Sequence, residues 1–288
     1  EVLISIHGSK NAEIETKAIL NNIESNIVNV KTKYSDLFKP ALRYIIGVGL
    51  LLGILQQVTG INAIYFYATS IFKQTGIGTD AAFSSGVLLS FTTVIFTLIA
   101  IYLVDRMGRR PLLLIGMMGI AISLLTCAYG FNQAKYKLTN EGISSLNEID
   151  SSKLLIFQGV EYNSDVKFKN DIKSAIGNQV YAKNEGPILE AAIEMNSTLV
   201  LLGILGFIAC FAFSLGPIMW VMLSELFPNK IRGLAIGFIG FVNSFSSWII
   251  QQIFPWELSN LGSALTFLIY GIIALIGALL FFKILPIL

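Results

Sequence analysis

Charge is scarce in this chain: Asp, Glu, Lys and Arg supply 13% of its 288 residues, against roughly a quarter in an ordinary soluble domain. That shortage excludes a free-standing water-soluble fold. Histidine is reduced to His7, on the polar N-terminal segment, where it reads as solvent-facing. A histidine-based metal cluster is therefore excluded, and no metal is expected. The two cysteines, Cys127 and Cys210, both fall in apolar runs, where they behave as small hydrophobes and carry no information on redox compartment. A net charge of +2 argues against a nucleic-acid surface, so no nucleic acid is expected as a partner. The sequence contains no Ser-His-Asp set, glycine-rich phosphate loop or carboxylate dyad, and the expectation is a protein that is not an enzyme and holds no cofactor.

Apolar length is what the chain has. Hydrophobic residues make up 54% and the mean hydropathy is +0.70. Runs near 44–66, 85–104, 111–131, 198–223, 234–254 and 263–282 each approach the ~20 residues that cross a bilayer. In hydrocarbon every backbone N–H and C=O must be satisfied within its own segment, so these are helices, and the lipid bilayer is the first partner. The short connection "DRMGRRP" carries Arg106, Arg109 and Arg110, and "NKIRG" carries Lys230 and Arg232, whereas "IFKQTGIGTDAA" has Lys73 alone and "WELSNLG" no basic residue. Basic loops stay in the cytoplasm, which puts both chain ends on that side, and Lys39 and Arg43 before the first span agree.

Two segments fall outside the spans. In residues 1–35, Ile14, Ala18, Ile19, Ile23 and Ile27 recur at helical spacing, which predicts a short amphipathic cytoplasmic helix, a plain linker being the alternative. Residues 132–196 hold seven Lys and nine Asp or Glu with few large apolar clusters, and read as an external insertion. The triplet "NST" at Asn196 has the glycosylation pattern but abuts a span and carries little weight. The start at Glu1, with neither methionine nor signal peptide, points to a fragment or a processed chain.

The chemistry concentrates in "QQVTGINAIYFY", which sets Gln56, Gln57 and Asn62 inside an apolar span. Burying an unpartnered amide costs roughly 1–3 kcal/mol, while hydrogen bonds between membrane helices average only about 0.6 kcal/mol. Two readings are open: the amides cross-link neighbouring helices, or they face a solute path. Gly49, Gly53 and Gln57 recur every fourth residue, giving one small face for close packing that ends in an amide. Gly60 adds a weak point where a helix can loosen and offer backbone groups to a solute. Each amide brings a donor and an acceptor, so the matching solute is neutral and rich in hydroxyls: a sugar or polyol.

These residues also carry a resemblance. "QQVTGINAIYFYATSIF", "DRMGRRP", "GPIMWVMLSELFPNKIRG" and their spacing resemble the second half of a sugar porter of the major facilitator superfamily, over about residues 36–285 except the insertion. The resemblance implies an all-α integral membrane fold: the six-transmembrane-helix C-terminal half of a twelve-helix major facilitator fold, with an external insertion. It implies a cytoplasmic helical linker segment at 1–39, spans seven to nine at 40–131, the insertion at 132–196 between spans nine and ten, and spans ten to twelve at 197–288. The missing N-terminal six-helix half becomes an expected partner, and the plasma (cytoplasmic) membrane the expected location.

By motif match the resemblance assigns sugar hydroxyls to Gln56, Gln57 and Asn62, stacking on the sugar to Trp220, and a further amide to Asn243. A Trp face can cover the C–H face of a pyranose; for Trp220 taken alone an interfacial anchor is the other reading. Thr93 stands where many members have a sugar-binding asparagine, and Ser244 where many have a tryptophan, which puts glucose specificity in doubt. Phe66 and Tyr67 match the pair that helps close the outer gate. Ion pairs among Asp105, Arg109, Arg110, Glu225 and Arg232 are expected to latch the cytoplasmic side, topology-setting charge being the alternative, and Pro217 to bend its helix beside the site. The implied function is alternating-access transport of a hexose or pentose, as facilitator or, with protons as a second partner, symporter. An inositol or disaccharide porter and a transporter-like sugar receptor are the alternatives. No carboxylate is expected within the spans between Asp105 and Glu225 at their ends.

Overall fold

A computed structural model describes residues 17, 33–75, 79–146 and 149–285; the amphipathic helix expected in residues 1–35 and His7 lie almost wholly outside them. Six candidate spans are present, Pro40–Lys73, Gly86–Met107, Arg109–Asn132, Ser197–Leu226, Asn229–Asn260 and Ser263–Ile284. Each expected apolar run is found, lengthened by polar turns at its ends. The helices are α1 (Arg43–Val58), α2 (Ile61–Lys73), α3 (Thr79–Met107), α4 (Arg109–Asn132), then, after the insertion, α9 (Ser197–Phe213), α10 (Leu215–Leu226), α11 (Asn229–Asn260) and α12 (Ser263–Ile284). Thus the first and fourth spans are each built of two helices.

The two breaks have local causes. Between α1 and α2, Gly60 sits at φ 85°, a left-handed conformation that glycine alone adopts at little cost. A Cβ there would also stand 3.0 Å from the Tyr270 ring. Between α9 and α10, Ser214 leaves the helical region at φ −128°, ψ −92°. Pro217 explains the position, since its ring crowds the carbonyl four residues back, which belongs to Phe213, the last residue of α9. The bend lies just ahead of Pro217 rather than at it.

Helix α4 packs on α12 and α9 more extensively than any other pair does, and α11 packs on α1. The latter pair is close because Gly49 has no side chain: a Cβ there would lie 2.5 Å from Ile239 Cδ1. This is the small face anticipated from the Gly49–Gly53–Gln57 spacing. Cys127 is buried and unpaired, its Sγ 3.7 Å from the Val200 carbonyl, and Cys210 is half-buried.

The insertion differs from expectation. It contains β1 (Lys135–Lys137), α5 (Asn140–Ser145), α6 (Ser151–Leu154), β2 (Glu161–Tyr162), α7 (Asp165–Ile176), α8 (Asn178–Ala192) and β3 (Ile193–Glu194). The central strand β1 pairs antiparallel with both others, Tyr136 facing Tyr162 and Ile193. Tyr136, Leu138, Phe168, Ile172, Tyr181 and Ile188 form a separate buried cluster, with the Tyr136 and Phe168 rings stacked at 5.3 Å. Their side chains are scattered through a charged sequence and converge only when α7 and α8 fold over the sheet. Asn196 ends the insertion as the cap of α9, its Oδ1 accepting from Leu199 N at 3.1 Å.

Candidate functional site

The amides of α1 and α2 meet an amide of α11. Gln56 Nε2 donates to the Leu215 carbonyl at 3.0 Å, against the first turn of α10. Gln57 Nε2 donates to Asn243 Oδ1 at 3.2 Å and to Gln56 Oε1 at 3.2 Å. Asn243 Nδ2 in turn reaches Gln56 Oε1 and the Gly53 carbonyl, both at 2.8 Å. Asn62 Nδ2 donates to Gln57 Oε1 and to Ser247 Oγ, both at 2.8 Å. Gln56, Gln57 and Asn243 are buried, and among the described residues none of their fully buried amide atoms lacks a hydrogen-bond partner. The amides therefore join α1, α2, α10 and α11, as the cross-linking reading anticipates.

They also line a cavity, so the two readings of the amides coexist in one place. A cavity of about 490 Å³ is bounded by Gln56, Gln57, Asn62, Thr93, Trp220 and Asn243, together with Tyr65, Phe211 and Pro217. Every residue assigned to the solute from sequence is on this wall. Tyr65, which the sequence reading passed over, hydrogen-bonds through its hydroxyl to Thr93 Oγ1 and so ties α2 to α3 across the cavity edge. Its spacing was a usable signal, since Asn62 and Tyr65 are three residues apart on one helix face. Ser247, one turn beyond Asn243, was equally findable. Ser244 is exposed and does not border the cavity. The cavity volume is within the ~300–1,000 Å³ of small-molecule sites.

The expected gate pair lies off the cavity wall. Phe66 is 73% exposed and Tyr67 packs on Phe254 at 5.7 Å; neither borders the cavity. The reason is helical: each residue turns about 100°, so with Tyr65 facing the cavity the next two face away.

At the opposite end of the bundle the basic turns are only partly the expected network. Arg109 forks onto Glu225, Nε to Oε2 at 3.1 Å and Nη2 to Oε1 at 2.7 Å, and Asp105 lies 3.6 Å from the same Nη2. Among the described residues, Arg110 and Arg232 have no carboxylate partner. Arg110 Nη2 donates to the Phe282 carbonyl at the end of α12, and Arg232 Nε to the Phe227 carbonyl just after α10. One residue past Arg109, Arg110 is rotated onto the α12 side, while Arg232 reaches back to an orphan carbonyl at a helix end. The expected five-member latch is thus a three-member group.

A second correction concerns carboxylates. Helix α11 runs on through "WELSN", so Glu257 lies inside a span, where Tyr270 Oη donates to its Oε2 at 2.9 Å. In its last turn Ser259 Oγ and Asn260 Nδ2 bond back to the carbonyls of Pro255 and Trp256, and Leu261 N closes the helix on the Glu257 carbonyl.

Comparison with known proteins places this architecture. The family model described as "Sugar (and other) transporter" matches residues 1–146 and 175–287. The arabinose-proton symporter of Bacillus subtilis (strain 168) is 30% identical over 277 residues, covering 96% of this chain and 47% of that protein. The major myo-inositol transporter IolT of the same organism is 26% identical over 285 residues, 99% of this chain and 48% of that protein. Among solved structures, the proton:xylose symporter XylE bound to 6-bromo-6-deoxy-D-glucose superposes with a TM-score of 0.61 at 25% identity, over 99% of this chain and 48% of that one. The chain spans about half the length of the relatives it matches, and its six spans fit the C-terminal half of the twelve-helix fold. On the family match, the half-length superposition and the six-span bundle, the chain belongs to the sugar transporter family of the major facilitator superfamily.

Proposed function

We propose that this chain is one half of a carrier that takes a monosaccharide, a hexose or pentose, across a membrane by alternating access, with the solute held in the amide-lined cavity. The observation that carries the reading is the convergence of Gln56, Gln57, Asn62 and Asn243 with the half-exposed Trp220 around one cavity. A hydroxyl-rich, neutral solute can exchange hydrogen bonds with every one of these amides while its C–H face lies on the indole. Asp105, Glu225 and Glu257 are the carboxylates of the spans, and none borders the cavity, which suits an uncharged solute. The similarity to an arabinose-proton symporter and a proton:xylose symporter supports a sugar as cargo and a proton as its companion; a facilitator needs the same cavity.

In this reading the missing six-helix half covers the cavity's other side. Positive-inside asymmetry sets the Arg109 and Arg232 turns and both chain ends in the cytoplasm of a plasma (cytoplasmic) membrane, with the insertion external. The Asp105–Arg109–Glu225 group is the inner latch, and Phe66 and Tyr67 belong to the outer gate, the exposed Phe66 ring turned from the cavity meeting its closing partner in the other half.

A polyol is the second reading, favoured by the IolT similarity and by Thr93, whose hydroxyl is engaged by Tyr65 and offers less reach than an amide. The test is binding of D-glucose, D-xylose, D-galactose and myo-inositol to the full-length protein that carries this chain. A site built on hydrogen bonds discriminates between epimers strongly. Preference for one aldose supports a sugar carrier, preference for inositol supports the polyol reading, and no binding of any of the four sinks both. Acidification of proteoliposomes on sugar uptake separates symport from facilitation.

A further inference from the structure

A polar cavity lies between the outer end of α2 and the insertion. It has a volume of about 770 Å³ and is bounded by Ser70 and Lys73 of α2, by Ser145 at the end of α5, and by residues 182–187 of α8. Six consecutive residues on one wall are more than a regular helix can offer, because each turns about 100° from the last. The helix is opened there. Pro187 has no N–H for the Lys183 carbonyl and its ring crowds that oxygen, and Asn184 departs from helical geometry at φ −115°, ψ 16°. Asn184 is 7% exposed; its Nδ2 donates to the Val180 carbonyl at 3.1 Å, and among the described residues no donor meets its Oδ1. Broken helices offer freed groups in this way at the solute sites of membrane carriers.

The two walls are fastened together, so the space between them is preformed. Gln74, the first residue beyond α2, is 8% exposed, and its Oε1 accepts from Lys169 Nζ at 3.3 Å and from Ser263 Oγ at 2.5 Å. Lys169 sits on α7 of the insertion, 5% exposed, with Asp165 Oδ2 3.7 Å from its Nζ. The Lys73 stem lies along α8: a Cβ added at Gly186 would stand 3.5 Å from Lys73 Cδ. The lining is chemically mixed. Lys73 and Glu185 bring charge of opposite sign, Ser70 and Ser145 hydroxyls, Asn184 an amide, and Leu146 and Pro187 apolar surface. A simple anion or cation meets a like charge in such a set, whereas a hydroxyl both donates and accepts and can turn to either. Phe66, Ser70 and Lys73 recur at i, i+4 and i+7, which puts them on one face of α2. The cavity therefore begins one turn outward of the exposed Phe66 ring.

We propose that this cavity is a second binding site, an outer capture site built by the insertion, which takes an uncharged, hydroxyl-rich solute before it reaches the amides. The proposal rests on the transport reading above, with the insertion external, and adds to it a site that the inner cavity does not require. The insertion then belongs to the solute path.

The test uses the full-length carrier, with D-glucose and D-xylose as probes. Gln57→Ala weakens the inner site, so sugar that still touches the protein in saturation-transfer NMR reports the outer one. That signal is expected to persist in Gln57→Ala and to fall at least threefold when Gly186→Trp, which fills the cavity from α8, is added. D-Glucuronate is expected to give no stronger signal than D-glucose. In proteoliposomes Gly186→Trp alone is expected to raise KM for external sugar at least threefold, with less than a twofold change in maximal rate. Ser70→Trp fills the same space from α2 and is read by the same measures if Gly186→Trp does not fold. Loss of all contact in Gln57→Ala, an undiminished signal in the folded double variant, a preference for glucuronate, or a parent-like KM would each overturn the proposal. The transport reading fails separately. A parent that carries no sugar, yet keeps a contact that Gly186→Trp removes, would sink that reading and leave the outer site standing.

Discussion

Arg109 grips Glu225 with two parallel bonds, 3.1 and 2.7 Å long, from the start of α4 to the end of α10. Two-pronged pairing fixes direction as well as distance, which lysine cannot reproduce. The Arg109 side chain is 23% exposed and that of Glu225 37%, so solvent screening leaves the pair about 1 kcal/mol. Arg109→Lys in the full-length carrier should therefore move the balance between inward- and outward-open forms about fivefold, read by thiol labelling of a cysteine placed in the cytoplasmic opening. An unchanged labelling rate would remove Arg109 from the proposed latch.

Gln57 is bonded to Gln56, Asn62 and Asn243 at once. Its loss removes a proposed partner for the solute and leaves three amides short of a bond. Gln57→Ala should weaken sugar binding at least tenfold, more than about 1.4 kcal/mol. Titration calorimetry on the folded variant checks this, and parent-like affinity would make the amides helix cross-links alone.

Gly60 has φ 85°, and a Cβ added there would meet the Tyr270 ring at 3.0 Å, tighter than ordinary van der Waals contact. Gly60→Ala places a Cβ where both the backbone and the ring resist it, at a cost of about 1–3 kcal/mol. Thermal unfolding in detergent should show a lowered midpoint, whereas Gly47→Ala, with nothing within 4 Å of its added Cβ, should not. Equal midpoints would mean that the break tolerates a side chain.

Burial pulls the Lys169 pKa down from the usual lysine value, an effect opposed by Asp165 and Glu185 and reinforced by Lys173. The unfolded chain then binds more protons than the folded one in the window below about 10.4. Stability consequently rises with pH in that window, as the folded lysine gives up its proton first. Measured from pH 7 to 10, the thermal midpoint of the parent should gain on that of Lys169→Met. A constant difference would show that the buried amine titrates as it does in the unfolded chain.

How much of this could be read from sequence differs from part to part. Hydropathy located all six spans, because in hydrocarbon length and polarity decide the helix without help from neighbours. Polar residues inside those spans were conspicuous for the same reason, which is how Gln56, Gln57 and Asn62 drew notice. Span ends were less legible: Glu257 was assigned to a connection, since the last turns of the helix are polar and hydropathy does not tell a polar helical turn from a loop. Partner choice was less legible still. Arg109, Arg110 and Arg232 look alike in sequence, but only Arg109 points across to Glu225. The core of the insertion was invisible because Tyr136, Phe168 and Ile188 are far apart along a charged segment and meet only in three dimensions.

The satisfied amides of the cavity carry a consequence for the speed of the proposed carrier. In the proposed carrier a hydroxyl that pairs with Gln56, Gln57 or Asn243 displaces a bond already in place, so arrival and departure are near-equal trades of one hydrogen bond for another. The well into which the solute falls is then shallow. A binding protein with the same residues left unpaired would hold its sugar tightly and release it slowly, whereas a wall that heals itself behind the departing molecule favours short residence and rapid turnover.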